Sequence, residues 1–311
     1  MQTQRRRSVM APLVLAVVVV FAWGIGAAVL SASPHAATTA KIEAKAAELP
    51  NTAALTALIH PSGGLVTTQG KGTIHSATSG NWAGYVDVAN TAGTVTEVFS
   101  EWSVPTAICG SATPSGGAYE VQWIGIDGWT SGSVEQAGSL NYCSGPGATP
   151  AYYTWWEFYP YNDIQIVASS SAGAFISAYV LYNPAEEVNG VPGVYTLELF
   201  DVDHGVSFYA IGGGWDLGYT PADADAECIS EAPSGFGYSG VTPLAHYTGL
   251  KFLACDTTIG SLTTGIGHQG SEATMYEVNQ YNPGLDQKTG GLSNYYGTSS
   301  TFSITWKGFG V

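Results

Sequence analysis

The chain has 311 residues, with 24 Asp+Glu against 9 Lys+Arg, a formal net charge of −15, 45% hydrophobic residues and 11% charged ones. So few cations exclude a nucleic-acid binder that tracks phosphates. Forty Gly and 15 Pro beside 18 Tyr and 9 Trp make the chain rich in turns and aromatics and poor in helix formers, so an all-β fold is expected.

Arg5, Arg6 and Arg7 precede an apolar run from about Val9 to Leu30, and small residues follow it. Residues 1–37 therefore read as a secretory signal. The run is also long enough to span a bilayer, so a retained anchor is the alternative, and membrane association is expected only if the signal stays uncleaved. Either way the remainder lies outside the cell. Over 38–79, Lys41, Glu43, Lys45 and Glu48 sit among alanines, Pro50 interrupts, and a Gly/Thr/Ser-rich stretch follows. This reads as a short helix and a linker, a propeptide in a secreted protein.

Only Lys251, Lys288 and Lys307 are basic after Gly80, with no Arg, against 22 acidic residues and hence a net charge of about −19. Such a surface repels itself when ionised and relaxes as its carboxylates protonate, which points to function at acid pH. From 80 to 311 the hydrophobic period is mostly two: Tyr195, Leu197 and Leu199 alternate with Thr196 and Glu198, and Phe302, Ile304 and Trp306 with Ser303 and Thr305. Ala174 to Tyr182 is apolar on both faces and suits a central strand between layers. Asn183 to Gly193 reads as a turn cluster. The expectation is one antiparallel β-sandwich over 80–311. Cys109, Cys143, Cys228 and Cys255 suggest two disulfides in three allowed connectivities, which the spacing leaves open. No CxxC or HxxxH occurs, so zinc is not expected, and no other cofactor is implied.

GxSxG is absent, and Asp127-Gly128-Trp129 is not the Asp-Thr/Ser-Gly turn of a pepsin-like protease. Carboxylates and amides remain. In acid, one carboxylate of raised pKa can act as base toward water if a neutral donor stabilises the oxyanion, and Glu with Gln meets both needs. Gln136 and the pair Glu227 and Glu231 lie in strand-like stretches, and in an extended strand Glu227, Ile229 and Glu231 share a face.

The blocks Asn81-Trp82-Ala83-Gly84, Trp123-Ile124-Gly125-Ile126-Asp127-Gly128, Glu135-Gln136-Ala137-Gly138, Trp155-Trp156-Glu157-Phe158-Tyr159-Pro160 and Ala226-Glu227-Cys228-Ile229-Ser230-Glu231 stand in the order found in the glutamic peptidases, or eqolisins. The chain resembles a secreted, bacterial-type member of that family from about Ser79 to Val311. The resemblance implies a sandwich of two long curved antiparallel sheets, a preproenzyme layout, acid endopeptidase activity on polypeptides, and no cofactor. Carried over by position, the catalytic glutamine falls on Gln136 and the catalytic glutamate on Glu231 rather than Glu227. Trp82, Asp127 and Glu157 match residues that line or support the cleft, the two acids orienting the pair. Ala232-Pro233 and Cys228 depart from the fungal pattern, and the family's disulfides are not carried over.

The implied mechanism has Glu231 take a proton from water, Gln136 hold the oxyanion, and Glu231 return the proton to the leaving amine. The expected state is a monomer. Two other functions fit parts of the sequence. One is a non-catalytic carbohydrate- or surface-binding sandwich. The other is a glycoside hydrolase using Glu157 and Glu231, which would need them about 5–10 Å apart across a groove. The place of Gln136 relative to Glu231 separates them.

Overall fold

The computed structural model describes residues 17–20, 74–188, 190–213, 217–234, 240–280, 286–295 and 299–310, with backbone alone for 17–20 and 286–295. In chain order the strands are β1 (Val17–Val20), β2 (Ile74–Ser79), β3 (Trp82–Ala89), β4 (Val95–Ser103), β5 (Ala118–Ile126), β6 (Val134–Cys143), β7 (Ala151–Tyr159), β8 (Gln165–Ser169), β9 (Phe175–Val188), β10 (Val191–Asp201), β11 (Val206–Gly213), β12 (Asp225–Glu231), β13 (Leu250–Ile259), β14 (Leu262–Gly265), β15 (Ala273–Gln280), β16 (Asp286–Tyr295) and β17 (Ser299–Trp306). No helix occurs among the described residues.

The strands form two sheets, one ordered β1-β11-β10-β9-β4-β13-β17-β16 with β14 beside β13, the other β2-β15-β3-β12-β5-β6-β7-β8. The fold is all-β and two-layered, as expected. Its pairs are antiparallel with one exception, β2 on β15, which run parallel. The segments expected as signal and propeptide lie outside the described residues except at two points. Val17–Val20 pair with β11 at the edge of the first sheet, and Ile74–Ser79 form the edge of the second. Both short segments pair with backbone groups that a sheet edge would otherwise leave open.

Period two holds over most of where it was read. Leu197 and Leu199 on β10 and Ile304 on β17 are buried between less buried neighbours, whereas Tyr195 and Phe302 adjoin the buried Val194 and Thr301, and Trp306 is only partly buried. Two readings change. Residues Phe175 to Leu181 of β9 alternate half-buried with buried, so one face of this interior strand meets the core and the other has no covering layer. The expected turn cluster from Asn183 is mostly strand, because β9 runs to Val188 and β10 begins at Val191; its glycine is used at the hairpin tip, where Gly190 has φ +81°.

The main core lies between the sheets, with Tyr85, Ile124 and Phe158 of the second meeting Trp102, Val180, Leu197 and Phe252 of the first. A second cluster, including Trp82, Val121, Trp123, Leu140, Trp155 and Ile229, belongs wholly to the second sheet and its loops, on the face turned away from the first. Cys109–Cys143 and Cys228–Cys255 are the disulfides; the second joins β12 to β13 and so ties one sheet to the other. It closes a 27-residue separation, for which chain entropy predicts about 3–4 kcal/mol. Replacing both cysteines by serine should lower stability by about that much in urea unfolding, and an unchanged midpoint would show that sheet packing alone holds the layers.

Candidate active site

Strand β5 organises the outer face of the second sheet. Val121, Trp123 and Gly125 lie opposite Glu231, Ile229 and Glu227 of β12, and opposite Leu140, Gly138 and Gln136 of β6. One strand further out, Trp82 faces Glu231 and Glu157 faces Gln136. Directly opposed residues share a face, so Trp82, Glu231, Trp123, Gln136 and Glu157 all project from the same side of the sheet.

Two glycines make the centre of this face. A Cβ on Gly138 would sit 2.1 Å from the backbone oxygen of Gln122 and 2.8 Å from the Cβ of Trp123. A Cβ on Gly125 would sit 2.9 Å from the Trp123 ring. With glycine at both places the indole lies across the sheet, and its Nε1–H reaches Glu231.

Glu231 is fully buried at the end of β12. Asn81 Nδ2 donates to its Oε1 at 2.8 Å, and Trp123 Nε1 to its Oε2 at 2.9 Å. The indole N–H of Trp82, without a partner of hydrogen-bonding geometry, is near enough to favour the charged form as well. Burial outweighs these donors and pushes the carboxyl from 4.5 up to about 8. Gln136, also fully buried, donates through Nε2 to Glu157 Oε2 at 2.7 Å. A primary amide has two N–H groups, so the second stays available. Burial holds the Glu157 carboxyl well above its ordinary range and the nearby Glu231 raises it further, while the Gln136 bond acts the other way. Glu157 and Glu231 thus feel each other's charge across the outer face that they share with Gln136.

Glu227 projects from the same face but has other company. It stands across Gly125 from Gln136 in register, both its oxygens lack a hydrogen-bond partner among the described residues, and it is fully buried. Desolvation raises its pKa well above the usual value, aided by Asp225, Asp127 and Glu135. Asp127, at φ +70°, accepts the backbone N–H groups of Ala222, Asp223 and Ala224 at 2.7–2.9 Å. Asp225 reciprocates by accepting those of Trp129 and Thr130 at 2.9 and 3.0 Å. Of the two acids expected to orient the pair, Glu157 bonds Gln136 directly, whereas the hydrogen bonds of Asp127 clamp the loop before β12.

Behind the site, on the core face, Glu120 accepts from Ser230 Oγ at 2.9 Å, from Asn141 Nδ2 at 2.7 Å and from Gln122 Nε2. The oxygen of Gln122 accepts from Ser139, which accepts from Trp102. Ser230 and Gln122 immediately precede Glu231 and Trp123, so this buried network fixes the backbone from which both project.

The outer face of this two-sheet fold thus carries a buried carboxyl, Glu231, and a tethered amide, Gln136. The peptidase A4 family model matches residues 80–294, and the chain belongs to that family, a glutamic-type peptidase. It is 27% identical over 230 residues to aspergillopepsin-2 of Aspergillus niger, covering 67% of this chain and 73% of that protein. Two crystal structures of scytalido-glutamic peptidase with transition-state analogues superpose with TM-scores of 0.53 and 0.54 at 21% and 20% identity, each over 73% of this chain and 98% of the other. SCP-B, an eqolisin in complex with the tripeptide Ala-Ile-His, gives 0.51 at 20% identity over the same shares. At that identity the structures speak for the shared fold.

Sequence reading passed over Asn81 and Trp123 as site residues. Both lie in quoted blocks, but an asparagine before a strand and a tryptophan within one have ordinary structural roles, and only the cross-strand pairing brings them to Glu231.

The buried carboxyls have a consequence for stability. Asp87 and Asp127 are raised to about 6, Asp223 to about 7 and Glu231 to about 8, each chiefly by burial. The folded chain thus binds protons more tightly than the unfolded one, and stability is complete below the ordinary carboxylate values and lost as pH rises through the folded ones. The melting temperature should fall steadily from pH 4 to 8, and Glu231→Gln should flatten the upper part of that fall; a rise over this interval would contradict the assignment.

Proposed function

We propose that the chain is a secreted acid endopeptidase that cleaves polypeptides by a Glu231/Gln136 dyad acting through an activated water. The observation that carries this reading is the shared outer face, where Gln136 is tethered to Glu157 beside a Glu231 already supplied with donors by Asn81 and Trp123. Residues 1–37 then serve as signal and 38–79 as propeptide, with the active chain acting as a monomer outside the cell.

Glu231 carries its proton while buried, and the two opposing influences on it give a route to the base. Water entering with the substrate removes the desolvation and leaves the donors, all of which favour the carboxylate. Ionised Glu231 takes a proton from the water that attacks the scissile carbonyl. The second N–H of Gln136 holds the oxyanion, and Glu157, by accepting the first, prevents the amide from turning its oxygen toward that charge. Protonated Glu231 then delivers its proton to the departing amine, and no covalent acyl-enzyme forms. Glu157 is engaged with Gln136 in this scheme, which argues against its use as the partner acid of a glycosidase.

The test is cleavage of a denatured protein by the matured chain from about pH 2 to 7. Wild type should cut at the acid end, and Gln136→Ala should lose about 10²–10³ in kcat with its fold intact. Glu231→Gln should lose more, and Glu157→Gln should fall in kcat by releasing the Gln136 amide. Full activity in folded Glu231→Gln, or a trapped acyl-enzyme, would remove the mechanism.

A further inference from the structure

On the side of β12 away from Gln136, the outer face is aromatic. Trp123, which donates to Glu231, meets Trp82 edge-on with ring centroids 5.0 Å apart. Trp82 stacks with Trp129 at 6.2 Å and 29°, and Trp129 lies 5.6 Å from Tyr276. Burial falls along this row: Trp123 and Trp82 are fully buried, whereas Trp129 and Tyr276 are partly exposed.

Trp129 takes no part in the core between the sheets and packs onto the outer cluster only. Nor is it a loose surface residue. The Trp129 and Thr130 backbone N–H groups are both held by Asp225, and at the preceding Gly128, φ +115°, a Cβ would fall 2.4 Å from Val134 Cγ2. A turn this constrained presents one indole face to Trp82 and leaves part of the ring uncovered. A large, partly exposed apolar surface held rigid has little ordering entropy left to lose when it meets a ligand.

The strand order puts β3 and β15, with Trp82 and Tyr276, on one side of Glu231, and β5 and β6, with Gln136, on the other. A polypeptide that crosses the strands with its scissile carbonyl between Glu231 and Gln136 passes in one direction over Trp82, on which Trp129 stacks. Trp82 stands one strand from Glu231 and the Trp129 ring 6.2 Å from that of Trp82, so at about 3.3 Å per extended residue Trp129 lies a few residues along such a chain.

We propose that Trp129, with Tyr276 beside it, forms a substrate subsite that selects an aromatic or large aliphatic side chain within three residues of the scissile bond. The location of that bond rests on the peptidase reading given above.

The test uses peptides identical except for Phe or Ala at each position within three residues of the cleavage point. Matured wild type should favour Phe by about 10- to 100-fold in kcat/KM at one position, the range expected for burying one such side chain. Trp129→Ala should cost the Phe peptide at least ten times more than the Ala peptide, through KM, and Trp129→Phe should restore most of the preference. Equal losses on both peptides, or a preference that survives Trp129→Ala, would overturn the proposal. Calorimetric binding of the same peptides to Glu231→Gln, with and without Trp129→Ala, separates the two readings. Phe-selective, Trp129-dependent binding without any cleavage by wild type would sink the peptidase mechanism and keep the subsite. Cleavage with no discrimination in rate or binding would do the reverse.

Discussion

A carboxylate taken out of water must be matched by donors or keep its proton, since the uncompensated charge costs several kcal/mol. Glu231 lives under that constraint, and much of the second sheet answers to it. Asn81 and Trp123 supply the two hydrogen bonds. For Trp123 to arrive, Gly125 and Gly138 must be bare of side chains. For Asn81 to arrive, the entry to β3 must be held: Gln280 donates to its backbone oxygen, and so does the backbone N–H of Ala232, the residue after Glu231. Residues from four parts of the chain are thus fixed by one buried group.

The two faces of the second sheet divide the work. The inner face packs against the first sheet and carries the disulfide Cys228–Cys255 and the Glu120 network, which fix position. The outer face carries the ionisable and aromatic groups to which chemistry and recognition are assigned in the proposals above. Alternation along a strand joins them: Cys228 and Ser230 point inward while Glu227, Ile229 and Glu231 point outward, so each outward group is braced by its inward neighbours. The cysteine that replaces the aromatic of fungal relatives falls on an inward position, and there it becomes a cross-link between layers.

Much of this was legible in the chain. Period two in β10 and β17 announced half-buried strands, and the poverty of helix formers announced a fold without helices. The block order carried the family, and with it the proposal that Gln136 and Glu231 form the catalytic pair. Other features could not be read. The apolar run into Tyr182 suggested burial on both faces, yet half-exposed Val, Tyr and Phe are common on a sheet's open side, and composition cannot say whether a layer covers it. Asn183 to Gly193 has turn-forming residues throughout, but a hairpin needs only its tip, and the rest was drawn into strands by pairing with β10. Asp127 was legible as an acid that supports the site through the resemblance; its clamp on residues 222–224, which joins segments 95 positions apart, was not.

By itself the sequence determined the acidic composition, the all-β class, the cysteine count and the family motifs, because these depend on residue type and local spacing. The tertiary structure alone decided the disulfide partners, the donors to Glu231, the hydrogen bond between Gln136 and Glu157 and the aromatic row of Trp123, Trp82, Trp129 and Tyr276. Each of these is set by register between strands distant in the chain, and a shift of one residue in that register would move every such group to the opposite face.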